Sequence, residues 1–457
     1  MNIRPRILAI LGITASLACA QVASLQAAEK PNLIVILADD IGVEWFTPYG
    51  SEENKTPNLD RMAEEGVYFN HCYAQPLCTP SRVKIMTGKY NFRNYESFGD
   101  FPDSELKSTF ATLLDGAGYR TCMAGKWQLG SEDPGAMGFD SWLKYNVGQD
   151  RVINQNYFWN PRSQVIDRIT EGGRTWDQTD GSNYGPDIIV DFINGFVNAN
   201  KDEPFFVYYP MLLTHEPFQP TPDSEDQDFM SLEEKAYTDS KWFPDMVAYM
   251  DKCVGRIVDN LREQGVLDNT LILFVGDNGT GYHPAKFKGG VVIGTKGKMT
   301  DGGTLVPLIA YWPDGAKAGR SSDDLVDLSD FYPTLAEAAG IPVPEGIDGV
   351  SFLPEIKGEE GPSRDWAFVF YTPNQPGDKP VAYWARTQRW KLYDDGRLID
   401  VPNDKKETSP ILESEDTTES AEARKILKGA FAELGVTPDT LDEVRKRSKF
   451  SKKYKFD

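Results

Sequence analysis

The sequence predicts an α/β protein: a large, mainly parallel sheet flanked by helices, followed by a smaller C-terminal antiparallel sheet with one helix. Three observations predict it. Five short apolar runs recur between residues 32 and 312, helix-like stretches separate them, and beyond about residue 366 short strands joined by turns take over. Strands that alternate with helices form parallel sheets, because each helix carries the chain back across the sheet.

The strands of the first part are continuous apolar runs, which is typical of strands buried on both faces. They are predicted at Asn32–Ala38, Tyr119–Ala124, Pro204–Tyr209, Thr270–Val275 and Thr304–Trp312. The helices between them are predicted at Pro57–Glu65, Ser108–Ala117, Pro186–Ala199 and Pro244–Gln264.

The last part of the chain is predicted to be a separate α+β subdomain. We place the boundaries at 1–28 for a leader, 29–362 for the main α/β domain and 363–457 for the C-terminal subdomain. The elements predicted in that subdomain are the strands Ala367–Tyr371, Val381–Arg386 and Trp390–Tyr393 and a helix near Ala421–Leu434.

The N-terminus has the layout of a secretory signal peptide. Arg4 and Arg6 precede an apolar run, Ile7–Ala20, and small-residue cleavage sites follow it. A membrane anchor is the alternative, but the run is short for a span. Lipid attachment at Cys19 is disfavoured by Ser16, which stands where a large aliphatic residue is wanted. We therefore expect a periplasmic or extracellular protein with no membrane span.

The net charge of −21 excludes nucleic acid as an expected partner, because the surface repels polyanions on average. An anionic substrate would need a local cationic pocket. The basic stretch Arg445–Lys455 is interpreted as a solvated terminal element in preference to a polyanion-binding tail.

Four cysteines follow the leader, too few for a disulfide scaffold in a domain of this size. Cys253 lies beside apolar residues of a predicted helix and is expected in the core. Cys72 and Cys122 could pair, which the sequence does not decide.

Oxygen-donor side chains follow two of the predicted strands. Asp39 and Asp40 come after the first strand, and Asp277 and Asn278 come after the strand Thr270–Val275. In open parallel sheets, sites form beyond the carboxyl ends of the strands. Carboxylates and amides suit Ca²⁺ or Mg²⁺. The alternative for any single Asp is a helix N-cap.

Cationic and titratable side chains occupy comparable positions. Lys126 follows the Tyr119 strand, His215 follows the Pro204 strand, and Lys296 and Lys298 precede the Thr304 strand. Lys126 and His215, which follow strands, are therefore expected at the same sheet edge.

The sharpest local pattern is Cys78-Thr-Pro-Ser-Arg82. Pro80 sits where a first helical turn can begin, so Cys78 is predicted at a helix N-terminus. Free N–H groups there favour an anion, and a bare thiol would be a low-pKa nucleophile. The alternative is an ordinary turn before a helix.

Several other motifs occur with it in a fixed order along the chain. They are Pro31–Asp40, Thr56–Asp60, Thr87-Gly88, Gly125–Gly130, Thr214-His215, Gly276–Gly279, Lys296–Gly303 and Arg386–Leu392. Together they cover nearly the whole chain after the leader. In these motifs the sequence resembles the type I sulfatases, the arylsulfatase-like branch of the alkaline phosphatase superfamily.

The resemblance implies a modified nucleophile. A formylglycine-generating enzyme would oxidise Cys78 to Cα-formylglycine, whose hydrated aldehyde attacks the sulfur of a sulfate ester. It also implies one Ca²⁺ held by Asp39, Asp40, Asp277 and Asn278, with the modified Cys78 as a further ligand.

The resemblance also implies roles for the basic residues. Arg82 steadies the diol and the metal cluster. Lys126 and Lys296 hold the sulfate oxygens, with Lys298 as the less favoured position for the second lysine. His215 protonates the leaving group.

One position departs from the family pattern, which usually has histidine where this chain has Gln128. Glutamine cannot take a proton at neutral pH. Either Asp277 acts as the base, or turnover is slow, or the protein is impaired. His283 could reach the site, or it could be an exposed loop histidine.

A sulfated carbohydrate is the expected substrate. The insert Trp142–Trp176 holds Tyr145, Tyr157, Phe158 and Trp159, whose rings could stack on sugars, although a packed cover is the commoner use of such residues. Two other functions stay open: a formylglycine-dependent phosphodiester or phosphonate ester hydrolase, and a catalytically silent, calcium-bearing binder of sulfated glycans.

Overall fold

The structure is a computed structural model that describes residues 30–130, 133–145, 165–168, 174–176, 184–216, 218, 220–225, 240–281, 283–372, 382–437, 439–440 and 443–444. The predicted leader, the rings at positions 157–159 and the basic stretch 445–455 lie outside these residues. The domain boundaries given above stay a prediction.

A large sheet forms the centre of the molecule. Its strands are β1 Asn32–Ala38, β2 Val67–Tyr73, β3 Arg120–Lys126, β4 Ser141–Tyr145, β5 Val165–Arg168, β6 Arg174–Trp176, β7 Phe205–Pro210, β8 Thr270–Gly276, β11 Leu305–Val306, β12 Leu308–Tyr311 and β13 Arg320–Asp327. They lie in the order β11-β2-β12-β8-β1-β7-β3-β4-β5-β6, with β13 beside β2. The five consecutive strands from β8 to β4 are parallel. The predicted fold class is confirmed.

Helices cover both faces of this sheet. They are α1 Pro57–Glu65, α2 Cys78–Thr87, α3 Asn91–Asn94, α4 Phe110–Gly116, α5 Gly185–Asn200, α6 Phe243–Glu263, α7 Asp301–Thr304, α8 Phe331–Ala338 and α9 Leu353–Lys357. Alternate residues of β1 enter opposite cores, as the strand period of two requires. Ile34 and Ile36 pack on the side of α1, α5 and α6, whereas Leu33 and Val35 pack on the side of α2, α4 and α8.

Two parts of the sheet differ from the prediction. The run Thr304–Trp312 is not one strand: α7 ends at Thr304, and Pro307 separates β11 from β12. Proline has no N–H to donate, so the ladder is interrupted there. The structure also adds β2 and a hairpin, β9 Pro284–Phe287 and β10 Gly290–Ile293, which the apolar pattern does not reveal.

Cys72 and Cys122 are not paired, and all four cysteines of the described chain are free and buried. Cys72 lies on β2 and Cys122 on β3, with β12, β8, β1 and β7 between them. Five strand spacings make roughly 24 Å, far beyond the reach of a disulfide. Cys253 lies in the core on α6, as expected.

A four-stranded antiparallel sheet forms the C-terminal part: β14 Ala367–Tyr371, β15 Ala382–Arg386, β16 Trp390–Tyr393 and β17 Leu398–Asp400. The fourth strand was not predicted. Phe368 and Phe370 pack with residues of α10, Thr418–Leu434, whereas Ala367 and Val369 on the opposite face pack with Tyr73 of the large sheet.

Within the described ranges, no helix combines the length and the apolarity that a bilayer span needs.

The start of α1 depends on a carboxylate from another helix. Its own N-cap residue, Thr56, makes no side-chain capping bond. Asp251 of α6 instead accepts hydrogen bonds from the backbone N–H groups of Asn58, at 3.0 Å, and Leu59, at 2.8 Å. This contact joins two helices of the same core.

We predict that Asp251→Ala lowers the free energy of unfolding by about 1 to 3 kcal/mol, because two buried N–H groups lose their acceptor. Urea denaturation measures the loss. Asp259→Ala on the exposed side of α6 is the matched control, expected within about 0.5 kcal/mol of the wild type. Equal losses in the two variants would show that Asp251 does not cap α1.

Candidate active site

The acidic residues after β1 and β8 lie side by side. The register pairs Ala38 with Gly276, so the two strands end together. The backbone N–H of Asp40 donates to Asp277 Oδ1 at 3.1 Å, and Asn278 Nδ2 donates to Asp40 Oδ1 at 2.8 Å. Asp39, Asp277 and Asn278 are fully buried, and Asp40 is nearly so. The strand ends thus gather the four oxygen-donor residues, as the sequence predicts.

Helix α2 delivers Cys78 to this group. The helix begins at Cys78 and is buried along its whole length. Ser81 Oγ donates to the Asp277 carbonyl at 2.5 Å, which fixes the first turn against the end of β8. The ligand atoms of Asp39, Cys78 and Asp277 all lie within 4.8 Å of one another.

The bare thiol of Cys78 is not the low-pKa nucleophile that its helix position suggests. Burial raises its pKa, and the nearby Lys126 and Lys296 do not compensate. An unmodified Cys78 therefore stays a neutral thiol at neutral pH.

Three cations converge on the carboxylates. Arg82 Nη2 lies 3.1 Å from Asp277 Oδ2 and 3.7 Å from Asp39 Oδ2. Lys126 Nζ makes a short hydrogen bond to Asp39, and Lys296 Nζ bonds Asp40 Oδ2 at 2.5 Å. Arg82 Nη1 also donates to the carbonyl of Lys126 at 2.9 Å, which joins α2 to β3.

The local charge balance is uneven between the carboxylates. Burial by itself would raise the pKa of Asp40, but Lys296, His215 and Lys126 hold it well below the usual range. Burial and the neighbouring Asp39 raise the pKa of Asp277 to about 8, and Arg82 offsets this only in part. The neighbouring cations are therefore not sufficient to keep the Asp277 carboxylate ionised at neutral pH, and additional positive charge would lower its pKa.

The donor set fits a hard divalent cation. Asp39 Oδ1 and Asn278 Oδ1 are buried acceptors without a hydrogen-bond partner in the described chain. Buried oxygens of this kind are normally satisfied, and Ca²⁺ takes carboxylate and amide oxygens. Asp39, Asp40, Asp277 and Asn278, with the residue at position 78, are the side chains that would hold the ion.

His215 stands at the edge of the same group. Its Nδ1 lies 2.6 Å from the carbonyl oxygen of Glu216, and its Nε2 lies 3.7 Å from Asp40 Oδ2. Burial, with the charges of Lys126 and Lys296, lowers its pKa to about 4. A neutral imidazole with Nδ1 donating to the carbonyl leaves Nε2 directed at the carboxylate.

Two further candidates, Lys298 and His283, have different surroundings. Lys298 is exposed, so Lys296 is the lysine of that loop which reaches the carboxylates. His283 is not an exposed loop histidine. Its ring stacks on Phe243, with centroids 4.2 Å apart, and meets the edge of Phe218.

Gln128 follows Lys126 by two residues and has a left-handed backbone conformation, with φ 51°. Its side-chain Oε1 is buried and has no partner among the described residues. Such an orphaned acceptor is available to a donor on a bound molecule.

No local sequence pattern indicates how the loop that carries Lys296 is held. The Met299 carbonyl of that loop accepts hydrogen bonds from Trp384 Nε1, Lys391 Nζ and Tyr393 Oη, at 2.9 to 3.1 Å. Asp301 accepts two bonds of 2.8 Å from Arg386 Nη1. The C-terminal sheet therefore clamps the loop that presents Lys296.

The clamp is a buried network of balanced charge. Lys391 Nζ also bonds Asp301 Oδ1 at 3.0 Å and Glu407 Oε1 at 2.8 Å. Burial would raise the pKa of Asp301, but Arg386 and Lys391 keep it far below its ordinary value of 3.8.

Comparisons of the amino-acid sequence with known families and proteins identify related proteins. The family model described as "Sulfatase" matches residues 31–341, and "N-sulphoglucosamine sulphohydrolase, C-terminal" matches residues 295–433. Human N-acetylgalactosamine-6-sulfatase is 28% identical over 81% of this chain and 74% of its own length. Human arylsulfatase A is 30% identical over 84% of this chain and 78% of its own length.

A solved structure shares the fold. It shows a protein in complex with its substrate D-glucosamine-2-N,6-O-disulfate, with a TM-score of 0.73 and 23% identity, and the match covers 92% of this chain and 100% of that one.

We predict that Lys391→Met destabilises the protein by about 3 to 5 kcal/mol at neutral pH, because it leaves buried Glu407 without a cation and leaves Asp301 with Arg386 alone. Since the pKa of folded Asp301 lies below 3.8, its contribution is complete above that pH and is lost as the pH falls below it. The difference from the wild type should therefore shrink in acid. Urea denaturation across pH tests this, with exposed Lys298→Met as control. A pH-independent difference would contradict the network.

Proposed function

The chain belongs to the sulfatase family and is a sulfuric ester hydrolase, and we propose that it acts on sulfated carbohydrate, with Cys78 oxidised to formylglycine and with one bound Ca²⁺. The observation that carries the proposal is the convergence of nine side chains at one sheet edge. They are Asp39, Asp40, Cys78, Arg82, Lys126, His215, Asp277, Asn278 and Lys296.

Two groups would complete this site. Oxidised and hydrated Cys78 would supply a hydroxyl nucleophile in place of the neutral thiol. Ca²⁺ would supply positive charge that keeps Asp277 ionised and attracts the anionic oxygens of the ester. Asp39, Asp40, Asp277 and Asn278, with the residue at position 78, would hold the ion.

Lys126 and Lys296 are proposed to bind the sulfate oxygens. Both ammonium groups already lie at the cluster, where each pairs with one carboxylate. Charge that develops on the sulfate oxygens during attack is stabilised most by donors fixed in advance in a water-poor site. Lys126 has no exposed surface, and its orientation is supported by the bond from Arg82 to its carbonyl.

His215 is proposed to protonate the departing oxygen. Burial and the charges of the two lysines keep its pKa near 4. An anionic ester bound between those lysines offsets their charge, so the pKa of His215 rises when substrate is present. Its Nε2 is the atom that would deliver the proton, since Nδ1 faces the Glu216 carbonyl.

The substrate class rests on the relatives. One relative is named N-acetylgalactosamine-6-sulfatase, and a solved neighbour holds its substrate D-glucosamine-2-N,6-O-disulfate. The residues whose rings are predicted to stack on sugars lie outside the described residues, except Tyr145, of which only the backbone, on β4, is described. We also propose that residues 1–28 direct export, which would place the enzyme in the periplasm or outside the cell.

Two measurements on one sample test the function. Co-expression with a formylglycine-generating enzyme should convert the thiol of Cys78 to an aldehyde, seen in the mass of its peptide, and hydrolysis of sulfated sugars should rise with the converted fraction. Cys78→Ala, which cannot be converted, is the control. Faster hydrolysis of matched phosphate esters would favour the phosphoester hydrolase. A fully converted sample that binds sulfated glycans and hydrolyses none would favour the silent binder.

A second prediction concerns Gln128, whose role we propose is positional, with Asp277 as the base. Gln128→His should then be unchanged or slower in turnover and should gain no imidazole-like limb between about pH 5 and pH 8. Steady-state kcat against pH measures this, with exposed Gln388→His as control. A faster enzyme with such a limb would show that Asp277 is an inadequate base.

A further inference from the structure

Two buried tyrosines near Cys78 have hydroxyl groups without a hydrogen-bond partner in the described chain. Tyr95 is 1% exposed and Tyr371 is 3% exposed. A buried hydroxyl left unpaired costs free energy, so native proteins keep very few unless water or a ligand satisfies them. Neither tyrosine belongs to the sequence motifs discussed above.

Tyr95 is held against the start of the Cys78 helix. It follows α3 directly, between Asn91 and Gly99. Asn91 Nδ2 donates to the Pro80 carbonyl at 2.9 Å, and the Gly99 N–H donates to Thr79 Oγ1 at 3.2 Å. Both acceptors lie within two residues of Cys78, so this segment wraps the first turn of α2.

Tyr371 approaches from the C-terminal sheet. It ends β14 and shares a strand face with Ala367 and Val369, which pack with Met299 of the Lys296 loop. Lys84 Nζ of α2 donates to the Phe368 carbonyl at 3.1 Å, which ties the same strand to the Cys78 helix. The strand that carries Tyr371 is thus tied to the Cys78 helix and packs with the loop that carries Lys296.

The electrostatic environment agrees with this placement. Burial raises the pKa of both phenols. Ionisation of Tyr371 would raise the pKa of Tyr95 further, ionisation of Cys78 would raise both, and Lys296 lowers the pKa of Tyr371. Both groups consequently stay protonated at neutral pH. Each hydroxyl can therefore donate a hydrogen bond, as an uncharged group, to the sulfate group that Cys78 is proposed to attack and Lys296 to bind.

We propose that the hydroxyls of Tyr95 and Tyr371 donate hydrogen bonds to the non-bridging oxygens of the bound sulfate group. This inference deepens the proposed function and rests on it. The tyrosines would complete the sulfate site with neutral donors, next to the cationic contacts from Lys126 and Lys296. Each new bond has a charged acceptor, which is the stronger class of hydrogen bond.

Inorganic sulfate is the probe, titrated calorimetrically into the purified full-length protein and into Tyr95→Phe, Tyr371→Phe and the double variant. We expect each single change to raise the dissociation constant for sulfate by about 10- to 100-fold, the usual range for a hydrogen bond to a charged group. The melting temperature in sulfate-free buffer should be unchanged or higher, because an unpaired polar group has been removed.

Tyr49→Phe is the matched control. The Tyr49 hydroxyl is buried and bonds both the N–H and the carbonyl of Leu308 at 2.9 Å. Its removal should lower the melting temperature and leave sulfate affinity unchanged. If sulfate affinity stays within about twofold of the wild type in the double variant, or if the phenylalanine variants melt as low as Tyr49→Phe, the inference is overturned.

Measurements of kcat/KM distinguish a tyrosine contact to the sulfate group from a contact to the sugar. Loss of a bond to the sulfate group should lower kcat/KM similarly for aryl sulfates and for sulfated sugars, whereas a loss confined to sugars contradicts the assignment. Failure of the proposed function gives a different result. A protein that hydrolyses no sulfate ester, yet binds sulfate through these tyrosines, would refute the function and retain the inference.

Discussion

The site depends on one electrostatic constraint: three buried carboxylates meet where β1 and β8 end. Asp39, Asp40 and Asp277 cannot all be ionised there unless positive charge accompanies them. Arg82, Lys126 and Lys296 supply three positive charges, which equals the count of carboxylates. Yet the pKa of Asp277 is still raised to about 8, because it is buried beside Asp39. The three cations come from α2, from β3 and from the loop before α7, so the constraint fixes how these elements assemble.

A cluster of this kind is internally charge-balanced and can also bind a metal ion and an anionic ligand. Two of its cations are lysines, whose long side chains can move from a carboxylate to an anionic ligand, whereas Arg82 is held by Asp277 and by the carbonyl of Lys126. The unpartnered oxygens of Asp39 and Asn278 lie in the same group. Positive charge added by a metal would release the lysines from their carboxylates, so metal binding and sulfate binding are expected to support each other.

The sequence was sufficient for the fold class and for the gathering of the six site residues that follow strands, because both follow from local patterns, whereas Cys78, Arg82 and Lys296 were joined to them only through the family resemblance. Apolar runs mark buried strands, and polar residues just beyond them must meet at one edge. It was insufficient where long-range contacts decide. The burial of His283 between two phenylalanines and the raised pKa of Cys78 depend on what packs nearby. The clamp on the Lys296 loop joins residues about ninety positions apart, and no local pattern announces it.

We propose that the carboxylates at the ends of β1 and β8 hold one calcium ion, and calorimetric titration of the chelator-treated protein with Ca²⁺ tests this. We expect one Ca²⁺ per wild-type chain, no measurable binding to Asp277→Ala, and wild-type binding to Asp259→Ala, which removes an exposed carboxylate instead. Wild-type binding by a folded Asp277→Ala protein, or no binding by the wild type, would contradict it.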